Sequence, residues 1–193
     1  MGEDQGLVDA LRAGDEAAFV ELVRRYQPAL LRVAEATVGS RAVAEEVCQE
    51  TWLAVVKGVD RFEGRSSLKT WLFHILLNRA RSTATREQRA GRADGEAVER
   101  FDAKGAWIDP PEPWADRVDD QLTAEVVAEH VKALLPDLPD QQRQVVLLRD
   151  VEGLGAGDVA TILGVTDGNQ RVLLHRGRAR LRHLLSLEVG GER

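Results

Sequence analysis

Five arginines, Arg171, Arg176, Arg178, Arg180 and Arg182, crowd the stretch from Thr166 to Leu185 against one acid, Asp167. A second basic run holds Arg65, Lys69, Arg79, Arg81 and Arg86, with Asn78 among them and Phe62 and Trp71 nearby. Guanidinium and ammonium groups neutralise phosphates, and an unstacked base can be held by apolar and aromatic groups. Arginine also pairs with guanine and asparagine with adenine, each contact worth ~1–3 kcal/mol of discrimination. The chemistry these residues offer is nucleic-acid recognition.

Chemistry of other kinds finds little support. Cys48 is the single cysteine, so no internal disulfide can form, as expected of a protein in a reducing cytoplasm. The four histidines, His74, His130, His175 and His183, are scattered without metal-ligand spacing, so no metal site is expected. There is no glycine loop for phosphate and no plausible nucleophile with its base, so neither an enzyme nor a cofactor is expected. Cys48 lies in an apolar helical pattern and reads as a core residue. No apolar run reaches the ~18 residues of a membrane span, and "MGEDQG" lacks a signal pattern, so no membrane insertion is expected.

The elements that must position these residues are helical. Apolar residues recur at spacings of three and four, which predicts an all-α protein among the 193 residues. Net charge is -6, unevenly spread. Residues 1–60 carry 6 basic and 11 acidic groups, and 61–92 carry 8 and 2. Residues 93–140 hold 4 and 13, whereas 166–193 hold 6 and 3. Two basic islands are therefore separated by acid. Between them Gly91–Asp120 has three prolines, three glycines and no helical period, which reads as an acidic linker carrying Trp107 and Trp114. The chain thus divides into helical domains over 5–90 and 121–188, joined by a linker over 91–120.

Within the first domain, Asp15 is placed to cap a helix that carries Phe19, Leu22, Val23, Tyr26, Leu30 and Val33. Gly39-Ser40 should end it and start the next, with Val43, Val47, Cys48, Leu53 and Val56 as its apolar residues. That helix shows an acidic side with Glu45, Glu46, Gln49 and Glu50. After Gly64, Ser66 or Ser67 should cap a helix whose buried stripe is Leu68, Trp71, Leu72, Ile75 and Leu76. Phe73 and Leu77 lie off that stripe and are expected to be free for other contacts.

The second domain reads as helix, glycine-containing turn, and basic helix, the helix-turn-helix order in which the second helix enters the major groove. Gly153 and Gly164 end its shorter helices, and Thr166 caps the last. On that helix Leu173, Leu174, Leu181, Leu184 and Leu185 form one arc. Arg171, His175, Arg178 and Arg182 form another, and Asn169, Arg176 and Arg180 a third.

In order and spacing, "AEEVCQETW" (44–52), "FEGRSSLKTWLFHILLN" (62–78) and "LPDLPDQQRQVVLLRDVEGLGAGDVATILGV" before the basic helix resemble one known family. It is the extracytoplasmic-function group of bacterial RNA polymerase sigma factors, in the sigma-70 family. The resemblance implies a region 2 helical bundle and a region 4 helix-turn-helix domain. It implies that Glu46, Gln49 and Glu50 contact core polymerase at its β′ coiled coil, with the β subunit as a further partner. Phe62, Arg65, Ser67, Lys69, Trp71, Asn78, Arg79, Arg81 and Arg86 would bind and melt the −10 element. Asn169, Gln170, Arg171, Val172, His175, Arg176 and Arg178 would read the −35 duplex. An anti-sigma partner is also implied. The stretch "GNQRVLLHRGR" departs from the "GTVKSRLHRAR" frequent in the family, and Ser82 stands where Asp is common. Val172 is expected to make an apolar contact, as to a thymine methyl. An autonomous helix-turn-helix regulator is the competing expectation, opposed by the acidic first block and linker, which repel phosphate.

Overall fold

A computed structural model of the chain describes the backbone of residues 2–91 and 133–190, and the side chains of 4–85 and 133–187. The expected linker, residues 121–132 of the second domain, Trp107, Trp114 and the side chain of Arg86 lie outside those described. The described residues are almost entirely helical and contain no strand.

The first domain contains α1 (Gly2–Arg12), α2 (Glu16–Val38), α3 (Arg41–Gly58), a 3-10 turn (Val59–Arg61) and α4 (Leu68–Gly91). Local chemistry sets the helix ends where the sequence marks them. Asp15 caps α2, its carboxylate accepting from the N–H groups of Ala17 at 2.8 Å and Ala18 at 3.3 Å. Gly39 closes α2 at φ 74°, a left-handed conformation that costs glycine nothing. Ser67 starts α4, with its hydroxyl accepting from Thr70 N–H at 3.0 Å. Helix α1 has no counterpart among the sequence expectations; Val8, only 1% exposed, packs it into the core.

Helices α2, α3 and α4 pack against one another around Leu22, Leu30, Val33, Val47, Cys48, Leu68, Leu72 and Leu76. Cys48 is fully buried, as its pattern predicts. Two expectations are overturned. Phe73 and Leu77 are both fully buried, because α4 is covered by α2 and α3 and also by the second domain. Conversely, Leu53 and Val56 on α3 are 61% and 56% exposed.

The second domain contains a 3-10 turn (Leu135–Asp137), α5 (Asp140–Val146) running into a π turn (Leu147–Val151), α6 (Ala156–Leu163) and α7 (Asp167–Gly190). In the π turn Glu152 N–H reaches back five residues to the carbonyl of Leu147 at 2.8 Å. Gly153 (φ 69°) and Gly164 (φ 67°) make the sharp exits from α5 and α6. Thr166 Oγ1 accepts from Asn169 N–H at 3.2 Å and caps α7. Leu173, Leu174 and Leu181 are buried and Leu184 and Leu185 half-buried, so the expected leucine arc is the packed one. Gly177 lies on it too, with Val146 pressed so close that a Cβ would meet its Cγ2 at 2.7 Å.

The domains touch through α2 with α5 and α4 with α6. Glu152, 7% exposed, is the centre of this contact. Its carboxylate accepts from Arg32 Nη2 at 2.6 Å and lies 3.7 Å from Lys69 Nζ. Lys69 also donates to the carbonyl of Glu152 at 2.5 Å. Arg143 donates to Ala36 O at 3.0 Å, and Arg81 to Ile162 O at 3.1 Å.

Candidate nucleic-acid interface

Three surfaces emerge from these elements. On α3, Glu46, Gln49 and Glu50 are all exposed, and Leu53 and Val56 continue along the same side of the helix. Spacings of three and four put Glu46, Gln49, Glu50 and Leu53 on one face. The pattern of α3 suggested core for Leu53 and Val56, and only the packing of α2 and α4 on its other side reveals them as surface. An acidic helix face with two large apolar residues suits a partner surface that is basic and partly apolar.

The second surface is the loop between the 3-10 turn and α4, with the outer side of α4. Glu63, Gly64, Arg65 and Ser67 are exposed, and Gly64 has φ 70°. Arg65 pairs with Glu63. Phe62 differs from expectation: it is 7% exposed, its ring packed 5.1 Å from that of Trp71, so it builds the floor of the loop and does not face outward. Trp71 is half-buried. Asn78 is exposed, with its amide nitrogen 3.5 Å from the His74 ring. Arg79 is paired with Glu50 at 3.1 Å across α3 and α4. Glu50, Ile75, Asn78, Arg79, Ser82 and Thr83 line one cavity of about 490 Å³, so expected polymerase and DNA residues share a wall.

Lys69 and Arg81 of this set are engaged elsewhere, on Glu152 and on the Ile162 carbonyl of the second domain. Burial there pushes the Arg81 guanidinium below its ordinary pKa. The sequence could not have revealed this, since partners 81 and 83 residues apart leave no periodic trace.

The third surface is α7. Asn169, Arg171, His175, Arg180 and Arg182 are exposed, and Val172 is 42% exposed in their midst. Gln170 turns the other way: it is 1% exposed, and neither amide atom has a hydrogen-bond partner among the described residues. It shares the inner arc with Leu173, Leu174 and Gly177 at the spacing of one helix face. Arg176 is half-buried, and burial lowers its pKa. Arg178 is clamped by Asp150, with Nε at 2.9 Å and Nη2 at 2.6 Å from the two carboxylate oxygens. Those hydrogen bonds push the Arg178 pKa up. Its fork is thereby spent within the protein, whereas Arg171, Arg180 and Arg182 are exposed and carry no hydrogen bond or ion pair among the described residues. Among the described residues no group of His, Cys, Asp and Glu could hold a metal ion. No described helix is long and apolar enough to cross a membrane.

Comparison with known proteins places these surfaces in a family context. Residues 22–90 match Sigma-70 region 2, and residues 129–181 match Sigma-70, region 4. The RNA polymerase sigma-H factor of Pseudomonas aeruginosa is 30% identical over 179 residues, spanning 91% of this chain and 90% of that protein. The ECF RNA polymerase sigma-E factor of Escherichia coli K12 is 29% identical over 178 residues, 91% of this chain and 90% of that protein. In structure, the sigma factor RpoE of Bartonella quintana, solved with the anti-sigma factor NepR, matches with TM-score 0.63 and 27% identity, covering 87% of this chain and 96% of that one. CnrH, solved with the cytosolic domain of CnrY, shares the fold at TM-score 0.63 and 22% identity over 95% and 97%.

Proposed function

This chain belongs to the sigma-70 family of RNA polymerase sigma factors, in its extracytoplasmic-function group, and from that premise we propose how its surfaces divide the work. As a sigma factor it binds core RNA polymerase, recognises promoter DNA and starts transcription from a specific set of promoters. It is a non-catalytic specificity subunit that acts in the cytoplasm, where the polymerase is.

Glu46, Gln49 and Glu50, extended by Leu53 and Val56, dock on the polymerase. Arg65, Ser67 and Asn78 meet the −10 element, with Phe62 and Trp71 as the packed floor beneath. Arg171, Val172, His175 and Asn169 face the −35 duplex, and Val172 supplies an apolar contact. An anti-sigma protein, as bound by the similar Bartonella factor, holds the chain inactive. The observation that carries the division is that one chain presents an acidic, partly apolar α3 face, the loop and outer side of α4 adjoining it, and a basic face on α7.

Lys69 and Arg81 join the −10 contacts once they leave the second domain. Reading both promoter elements therefore goes with opening of the Glu152 contact. Melting is driven by binding: a captured base contributes ~1–3 kcal/mol of stacking against an unpairing cost of similar size.

Transcription in vitro with core polymerase on a promoter library tests the assignment. Specific transcripts are expected with core present, and no tight duplex binding by the free chain in a gel shift. Tight, specific binding by the free chain alone would favour an autonomous regulator.

A further inference from the structure

Arg12, the last residue of α1, reaches across the chain to the base of the exposed loop. Its Nη2 donates to the carbonyl of Phe62 at 2.5 Å and its Nε to the carbonyl of Val59 at 3.4 Å. Its Nη1 pairs with Asp9 at 3.3 Å, which fixes the plane of the fork. In the 3-10 turn of Val59 to Arg61 the Val59 carbonyl already accepts from Phe62 N–H at 3.1 Å, whereas the Phe62 carbonyl lies just past the turn. A cation set there gives the Phe62 carbonyl a donor, adds a second, longer one to Val59 and complements the dipole.

Residue 62 is thus held from two sides. Trp71 fixes its ring and Arg12 its carbonyl. The next residues, Glu63 to Ser67, leave the core, and Ser67 anchors the far end of the loop as the cap of α4. Val8 seats α1 in the core, so Arg12 comes from a rigid element. The helix lies before residue 22, where the region 2 match begins.

We propose that Arg12 is a positioning residue for promoter melting: by clamping the Phe62 and Val59 carbonyls it holds the Glu63–Ser67 loop in the geometry that receives an unstacked −10 base. The inference rests on the assignment of that loop to the −10 element. A site that captures a base must hold its groups to about 0.5 Å, and a five-residue loop with a left-handed glycine does not do so unless its ends are fixed.

The test uses the full chain assembled with core polymerase. Its probe is a single-stranded oligonucleotide that the unmodified holoenzyme selects from a random pool of −10 strands, labelled with 2-aminopurine. Arg12→Ala should weaken binding of this strand about tenfold and abolish the 2-aminopurine signal, as expected when a charge-assisted hydrogen bond no longer holds the loop. Affinity for core polymerase and for −35 duplex should stay within about twofold of the unmodified chain, since those surfaces lie on α3 and α7. Arg12→Lys, which keeps the cation, should recover part of the loss. Arg12→Gln, which keeps a donor without charge, gives a second variant should Arg12→Ala fold poorly. Unchanged strand binding overturns the proposal, as does a loss that merely parallels a loss of core affinity. The double variant Arg65→Ala, Ser67→Ala separates the two levels. If it binds the strand normally, the loop assignment falls; if it binds weakly while the Arg12 variants bind normally, only the Arg12 inference falls.

Discussion

Arg32 of α2 and Glu152 after the π turn meet at 2.6 Å across the domain boundary, with the Glu152 side chain only 4% exposed. The pair joins residues 120 positions apart and draws in Lys69, so a single carboxylate collects two cations of the first domain. Arg32 itself is 37% exposed, which moderates what the pair contributes.

Glu152→Gln should therefore loosen the domains more than it harms either one. Removing a buried charge from its partners costs roughly 1–3 kcal/mol when one partner keeps contact with water. A larger radius of gyration in X-ray scattering and faster amide exchange in α5 are expected. An unchanged radius and unchanged exchange would show that apolar contacts alone hold the domains together.

Arg171 and Arg178 should behave differently in −35 binding. Arg171→Ala removes a cation presented to the duplex and should lower the salt slope of holoenzyme binding by about one. Arg178→Ala should instead leave the salt slope nearly unchanged and lower stability, since Asp150 already occupies its fork. Salt titrations of the two variants decide between them. Equal slopes would mean that Asp150 releases Arg178 to phosphate.

Gln170→Leu should stabilise the second domain. The amide is buried without a described partner, and an unsatisfied buried polar group costs about 1–3 kcal/mol. The change should raise the denaturation midpoint and leave −35 preference as it was. An altered preference in a binding selection would restore Gln170 to the DNA-reading set.

At Gly177 the added methyl of alanine would lie 2.7 Å from Val146 Cγ2 and 3.3 Å from the Gln142 carbonyl. Overpacking costs roughly 1–3 kcal/mol, against about 1 kcal/mol that alanine returns in helix propensity. Gly177→Ala should lower stability in urea unfolding, because the backbone carbonyl cannot move aside as a side chain can. A gain in stability would mean that α7 slides freely on α5.

Cys48 sets a pH dependence. Burial pushes its thiol up from 9.0 to about 11. The folded chain keeps this proton after the unfolded chain has lost it, so stability is full below the unfolded value and falls as pH rises towards the folded one. Comparing Cys48→Ala with the unmodified chain across that window should show the shallower decline in the variant. Identical slopes would mean that the thiol ionises equally well in both states.

Much of the fold was legible because its signals are local. Asp15, Gly39, Gly153, Gly164 and Thr166 mark helix ends, and Gly64 the loop before α4, by backbone chemistry that acts within a few residues. The leucine arc of α7 follows from period alone. Phe73 and Leu77 escaped because one helix's pattern does not count its neighbours, and α4 has them on more sides than its stripe suggests. Phe62 looked like an aromatic for a base, yet Trp71 nine positions on claims its ring. Gln170 joins the −35 set through the resemblance, but its angle on α7 is that of the leucines. Arg12 carries no motif; only the folded chain brings it to carbonyls 47 and 50 positions away.

The π turn at Leu147–Val151 does more than end a helix. One surplus residue advances the phase at the end of the turn by about 100° relative to an uninterrupted helix. That single offset aims the Glu152 carboxylate into the first domain and, through Gly153, launches α6 towards α7. The domain contact through Glu152 and the exit towards α6 are thus geared to the same irregularity. Deleting one residue from the turn would put both out of mesh together, while each helix kept its own sequence.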